Sequence, residues 1–65
     1  MKLVVQIPCF NEAENIADVI AEIPRDIAGV NIVQVMIIDD GSTDNTVALA
    51  EAAGADIIVR NRQNM

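Results

Sequence analysis

Residues 32–38 read IVQVMII, and the eight that follow read DDGSTDNT. Five of the seven in the first run are β-branched and only Gln34 is polar, the pattern of a strand buried on both faces. The run ends abruptly in two adjacent carboxylates, Asp39 and Asp40, where a strand is expected to hand over to a helix. Gly41 relaxes a turn there, Ser42 or Thr43 suits an N-cap, and Asp44 suits the first turn of a helix. A doubly buried strand belongs to a parallel sheet, and parallel neighbours need a crossover, usually a helix.

The rest of the chain agrees. Residues 3–7, LVVQI, predict a strand that Pro8 should stop. Residues 11–23 predict a helix, with Ile16, Val19, Ile20 and Ile23 as one apolar stripe of core residues. Asn11 is the expected N-cap, with Glu14 completing a capping-box pair, and Pro24 closes the helix. A second helix is expected over 43–53, stopped by Gly54. A third strand follows over 55–59, and residues 60–65 read as a polar loop. The expected fold is α/β, a three-stranded parallel βαβαβ unit in which each helix bridges two strands.

Composition removes several functions. Ten acidic residues oppose four basic ones, a net charge of −6, so nucleic acid and anionic membrane lack a basic face to bind. Cys9 is the only cysteine and there is no histidine, so neither an intrachain disulfide nor a Cys/His zinc site can form, and Cys9 lacks a base to make it a nucleophile. The N-terminal apolar run is broken by Gln6 and Pro8 and does not read as a leader. No apolar stretch reaches membrane-spanning length. The expected location is the cytoplasm, or the cytoplasmic face of a membrane, with no direct membrane contact by this segment.

In an open parallel sheet, ligands bind beyond the carboxyl ends of the strands. Two polar turns arrive there, PCFNE after the first strand and DDGST after the second. No GxGxxG or GxxxxGK[ST] is present. Glu12, Asp39 and Asp40 would repel a bare phosphate. They suit neutral donors, such as base N–H and ribose hydroxyl groups, or a divalent cation standing between carboxylate and phosphate.

VVQIPCFNEAENI (4–16) and VMIIDDGSTDNT (35–46) together resemble the opening motifs of family-2 glycosyltransferases of GT-A fold, most closely the branch similar to dolichyl-phosphate mannose synthases. The resemblance covers essentially the whole chain. It implies that residues 1–65 are the N-terminal nucleotide-binding portion of a Rossmann-like GT-A domain. Such enzymes transfer a sugar from a UDP- or GDP-sugar to an acceptor, for this branch a polyprenyl phosphate, usually with inversion and with Mg²⁺ or Mn²⁺. Carried over by position, Pro8 and Phe10 would flank the base; the family often has tyrosine where Phe10 stands. Glu12 would contact ribose or base, Asp40 would accept from a base N–H with Asp39 nearby, and the Gly41-Ser42 backbone would line the pocket. The family's metal-binding D-x-D and its catalytic base come later than these motifs. The resemblance therefore implies no catalytic residue and no metal ligand among residues 1–65, and an isolated chain without transferase activity.

Simpler roles compete for the same residues. Asp39 and Asp40 could end a strand and cap a helix. Ser42, Thr43, Asp44 and Asn11 read first as caps, Glu12 as a helix-dipole partner, Phe10 as core, and Arg60 and Arg62 as solvated loop. A non-enzymatic alternative is a small acidic α/β module that self-associates through an exposed sheet edge or binds a protein. A receiver-like phosphoryl acceptor ranks last, because it needs an aspartate where the third strand ends in Val59-Arg60.

Overall fold

The structure, a computed structural model, describes residues 1–61. The elements run β1 (Lys2–Cys9), α1 (Ile16–Ala21), β2 (Ile32–Asp39), α2 (Thr46–Ala52) and β3 (Ile57–Arg60). They form one parallel sheet in the order β1-β2-β3, with Cys9 opposite Asp39 and Asp39 opposite Arg60. The α/β expectation and the βαβαβ order hold.

The alternation in β2 shows where the core lies. Val33, Val35, Ile37 and Asp39 are buried on one face, while Gln34, Met36 and Ile38 are half-buried and Ile32 is exposed on the other. Ile16 and Ile20 of α1 and Ala50 of α2 close over Val35 and Ile37, so both helices lie on the same side. The opposite face has no covering layer among the described residues. Ile32 and Val59 are exposed there, and Gln34 Oε1 is enclosed without a hydrogen-bond partner.

Several boundaries differ from expectation. Pro8 does not stop β1, which runs on to Cys9. The Cys9 carbonyl faces β2 and accepts from the Asp40 N–H, so by alternation the Pro8 nitrogen faces the free edge, where no ladder bond is lost. Asn11 does not cap α1. Its φ of 51° lies in the left-handed region, and the helix starts only at Ile16, behind Asn15, with no side-chain cap and no capping box with Glu14. Neither Ser42 nor Thr43 caps α2, which begins at Thr46 behind Asn45. Val19 is 42% exposed rather than core. Arg60 ends β3 instead of opening a loop, and Arg62 lies outside the described residues.

Gly54 stops α2 as expected. With φ at 106° it lets Ala55 N–H reach the Ala50 carbonyl while its own N–H reaches Glu51, the paired bonds of a Schellman motif. At this lower end of the sheet Arg25 ties β2 to the connection between α2 and β3. Its guanidinium donates to the Val33 carbonyl at 2.9 Å, to the Gly54 carbonyl at 2.9 Å and to Asp56 at 3.0 Å. Asp56 also accepts the Val35 N–H at 2.8 Å. That bond, reinforced by Arg25, holds the Asp56 carboxyl below the usual carboxylate range.

Candidate functional site

Parallel pairing of Cys9 with Asp39 brings the exits of β1 and β2 side by side at the upper rim. The two loops are then joined by side chains that a helix would otherwise use as its own caps. Asn11 N–H donates to Ser42 Oγ at 2.8 Å, and Glu12 N–H donates to Thr46 Oγ1 at 2.8 Å. Ala13 N–H approaches Asp44 at 3.4 Å. In return, Thr43 N–H donates to Asn11 Oδ1 at 2.8 Å. Thr46 is fully buried; its hydroxyl and its N–H both donate to Asp44. The hydroxyl bond above all holds the Asp44 carboxyl below its ordinary value.

The expected site residues separate into three groups. Asp39 is fully buried. It accepts the Ser42 N–H at 3.1 Å, and the Cys9 thiol lies 3.9 Å away. It thus underlies the rim, and no part of it reaches the surface. Burial first, and the Asp39 charge second, push the Cys9 thiol up, so it is protonated and unreactive at neutral pH. Asp40, Glu12, Pro8 and Phe10 are exposed on the rim, Phe10 by 51%. The Asp40 and Glu12 carboxylates pair with no cation among the described residues. Gly41, at φ 88°, makes the turn between Asp40 and the half-buried Ser42.

A cleft of about 290 Å³ opens along the outer edge of β1 beneath α1. Ile7, Pro8, Cys9, Glu12, Ile16 and Val19 line it. Pro8 and Glu12 therefore border both the cleft and the rim, whereas Phe10, Asp40, Gly41 and Ser42 belong to the rim alone.

No group of three or more His, Cys, Asp or Glu side chains among the described residues could seat a metal ion. What Glu12 and Asp40 offer is acceptor chemistry, two carboxylates without a cation partner among the described residues. The cross-loop bonding of Asn11, Thr43, Asp44 and Thr46 was not expected from sequence. Its signal was the surplus in DDGSTDNT, which carries more capping-type side chains than one helix entrance uses.

Residues 4–65 match Glycosyl transferase family 2. The chain is 52% identical over 54 residues to Glycosyltransferase AglJ of Haloferax volcanii, covering 83% of this chain and 16% of that protein. It is 38% identical over 58 residues to the uncharacterized glycosyltransferase Rv0539 of Mycobacterium tuberculosis, covering 89% and 24%. It is also 40% identical over 55 residues to protein RfbJ of Shigella flexneri, covering 85% and 40%. The chain thus spans well under half the length of each of these curated relatives. With a family match along almost its whole length and relatives up to 52% identical, the chain belongs to glycosyl transferase family 2.

Proposed function

We propose that this chain supplies the nucleotide-binding part of a site that transfers a sugar from a UDP- or GDP-sugar, with inversion, to an acceptor such as a polyprenyl phosphate. The observation that carries the reading is the pair of carboxylates without a cation partner among the described residues, Glu12 and Asp40, on two loops tied to each other by Asn11, the first of which also carries the exposed Phe10. An ionised carboxylate accepts hydrogen bonds and donates none. It therefore recognises the imino N–H of uracil or guanine and the hydroxyls of ribose, and repels a diphosphate. In this reading Asp40 accepts from the base, Glu12 from ribose or base, and Pro8 and Phe10 flank the ring. The Gly41-Ser42 backbone lines the pocket, and Asp39 supports it from beneath. The Mg²⁺ or Mn²⁺ ion and the catalytic base belong to residues outside this chain, so the 65 residues alone transfer no sugar. The site works in the cytoplasm or at the cytoplasmic face of a membrane; no helix among the described residues is long and apolar enough to cross one.

Chemical-shift mapping tests the assignment. Titration with UDP or GDP should perturb amides at 9–12 and 39–43 and leave the Arg25–Asp56 end unchanged. Perturbation confined to the lower end, or none at all, contradicts it.

A second reading, association of two copies, is favoured by the uncovered sheet face with exposed Ile32 and Val59 and the unpartnered Gln34 Oε1. Sedimentation of the chain with and without nucleotide separates the two.

A further inference from the structure

Asn11 meets two demands that few residues meet together. Its backbone sits at φ 51°, where Asn and Asp are tolerated and bulkier residues are strained. Its side-chain oxygen also accepts the Thr43 N–H at 2.8 Å, across 32 positions of sequence. Its own N–H is held by Ser42 at 2.8 Å. The two bonds run in opposite directions and close a clasp around the turn that carries Asp40.

That turn is fixed at three further points. Asp40 N–H donates to the Cys9 carbonyl at 3.0 Å, Ser42 N–H donates to buried Asp39 at 3.1 Å, and Gly41 supplies the left-handed step between them. The bonds from Asp39 and Cys9 hold the turn from below, within the sheet. From the other loop Asn11 holds it at two points, its N–H on Ser42 and its side-chain oxygen on Thr43, and only the second depends on the Asn11 side chain. The Asp40 side chain bonds nothing among the described residues, so its position follows from the backbone that carries it.

We infer that Asn11 is a positioning residue for nucleotide recognition: through Thr43 it sets where the Asp40 carboxylate stands relative to Phe10 and Glu12. The inference rests on the nucleotide reading above for its ligand. Asn11 itself touches no ligand in this account. It acts by removing the freedom of the 40–43 turn before binding, which saves the ordering cost that a loose loop would incur on binding.

Two substitutions separate the backbone demand from the side-chain demand. Asn11→Gly keeps the left-handed step and deletes the acceptor. Asn11→Asp keeps both. Calorimetric titration of the 65-residue chain with UDP and GDP should show Asn11→Gly weakened about tenfold, the loss of one ordering bond, and Asn11→Asp recovered to within about threefold. The thermal midpoint of Asn11→Gly should stay close to wild type. Without ligand, the Thr43 amide of Asn11→Gly should exchange with solvent about tenfold faster. Ser42→Ala opens the clasp from the other side and should repeat the affinity loss should Asn11→Gly fail to fold. Wild-type binding that Asn11→Gly leaves undiminished overturns the inference while the nucleotide reading stands, and so does Thr43 exchange that does not change. A wild-type chain that binds neither nucleotide overturns the nucleotide reading, and the positioning role with it.

Discussion

The backbone N–H of Glu12 donates to the hydroxyl of Thr46 at 2.8 Å, and Thr46 has no exposed surface. Residues 34 positions apart thus complete each other: the first residue of α2 accepts from the loop that precedes α1, and that bond helps join the two halves of the rim.

Thr46→Val tests this bond. The shapes match, but the hydroxyl is lost, leaving the Glu12 N–H without its acceptor. The expected cost is about 1–3 kcal/mol, a large part of the stability of so small a domain. Thr46→Ser should retain most of the bond. Urea unfolding midpoints of the two variants check the difference; equal midpoints would show that the hydroxyl contributes nothing.

The lower end of the sheet predicts a pH dependence. Asp56 titrates below its ordinary value of 3.8 when folded, because it accepts from Val35 and pairs with Arg25. The folded state therefore binds fewer protons than the unfolded one just below that value. The resulting stability is complete above the unfolded pKa and is lost as pH falls through the lowered folded one. Asp44 adds in the same direction. Asp56→Asn should flatten part of this acid slope in a series of urea midpoints. An unchanged slope would remove Asp56 as a cause.

Cys9 should resist alkylation. It is 6% exposed, and its thiol is pushed up by burial and by Asp39. Iodoacetamide at neutral pH should react at least about tenfold more slowly with the folded chain than with the chain in denaturant. Asp39→Asn should move the alkylation pH profile to lower pH, provided the variant folds by circular dichroism. Fast labelling of the folded wild type would contradict the buried position of Cys9.

The alternation of strands and helices was legible because β-branched runs and Ala-rich stretches each satisfy one period. IVQVMII correctly marked the central strand, but the expected burial on both faces is met on one only: Val33, Val35 and Ile37 are covered, and the Gln34, Met36 and Ile38 face has no covering layer among the described residues. The convergence of the two turns at one rim followed from parallel order alone. The helix starts were not legible. Local capping rules give Asn11, Ser42 and Thr43 to the nearest helix, whereas the fold uses them across the rim, which only the Cys9–Asp39 register makes reachable. Pro8 was misread as an end because the sequence does not say which strand is an edge. Asp39 and Asp40 look equivalent on paper. The pleat turns one inward and the other outward, so that Asp39 supports the rim and Asp40 faces solvent.

In the proposed function, the Asp40 carboxylate reads the base of the nucleotide. Uracil and guanine each offer an imino N–H to it; cytosine presents a ring acceptor instead. Calorimetric titration of the wild type and Asp40→Asn with UDP, GDP and CDP tests the claim most directly. The account predicts that the wild type binds UDP or GDP more tightly than CDP. It also predicts that Asp40→Asn loses about 1.5–3 kcal/mol of that binding, the value of a charge-assisted bond. Equal affinity for all three nucleotides, or binding that Asp40→Asn leaves intact, would contradict it.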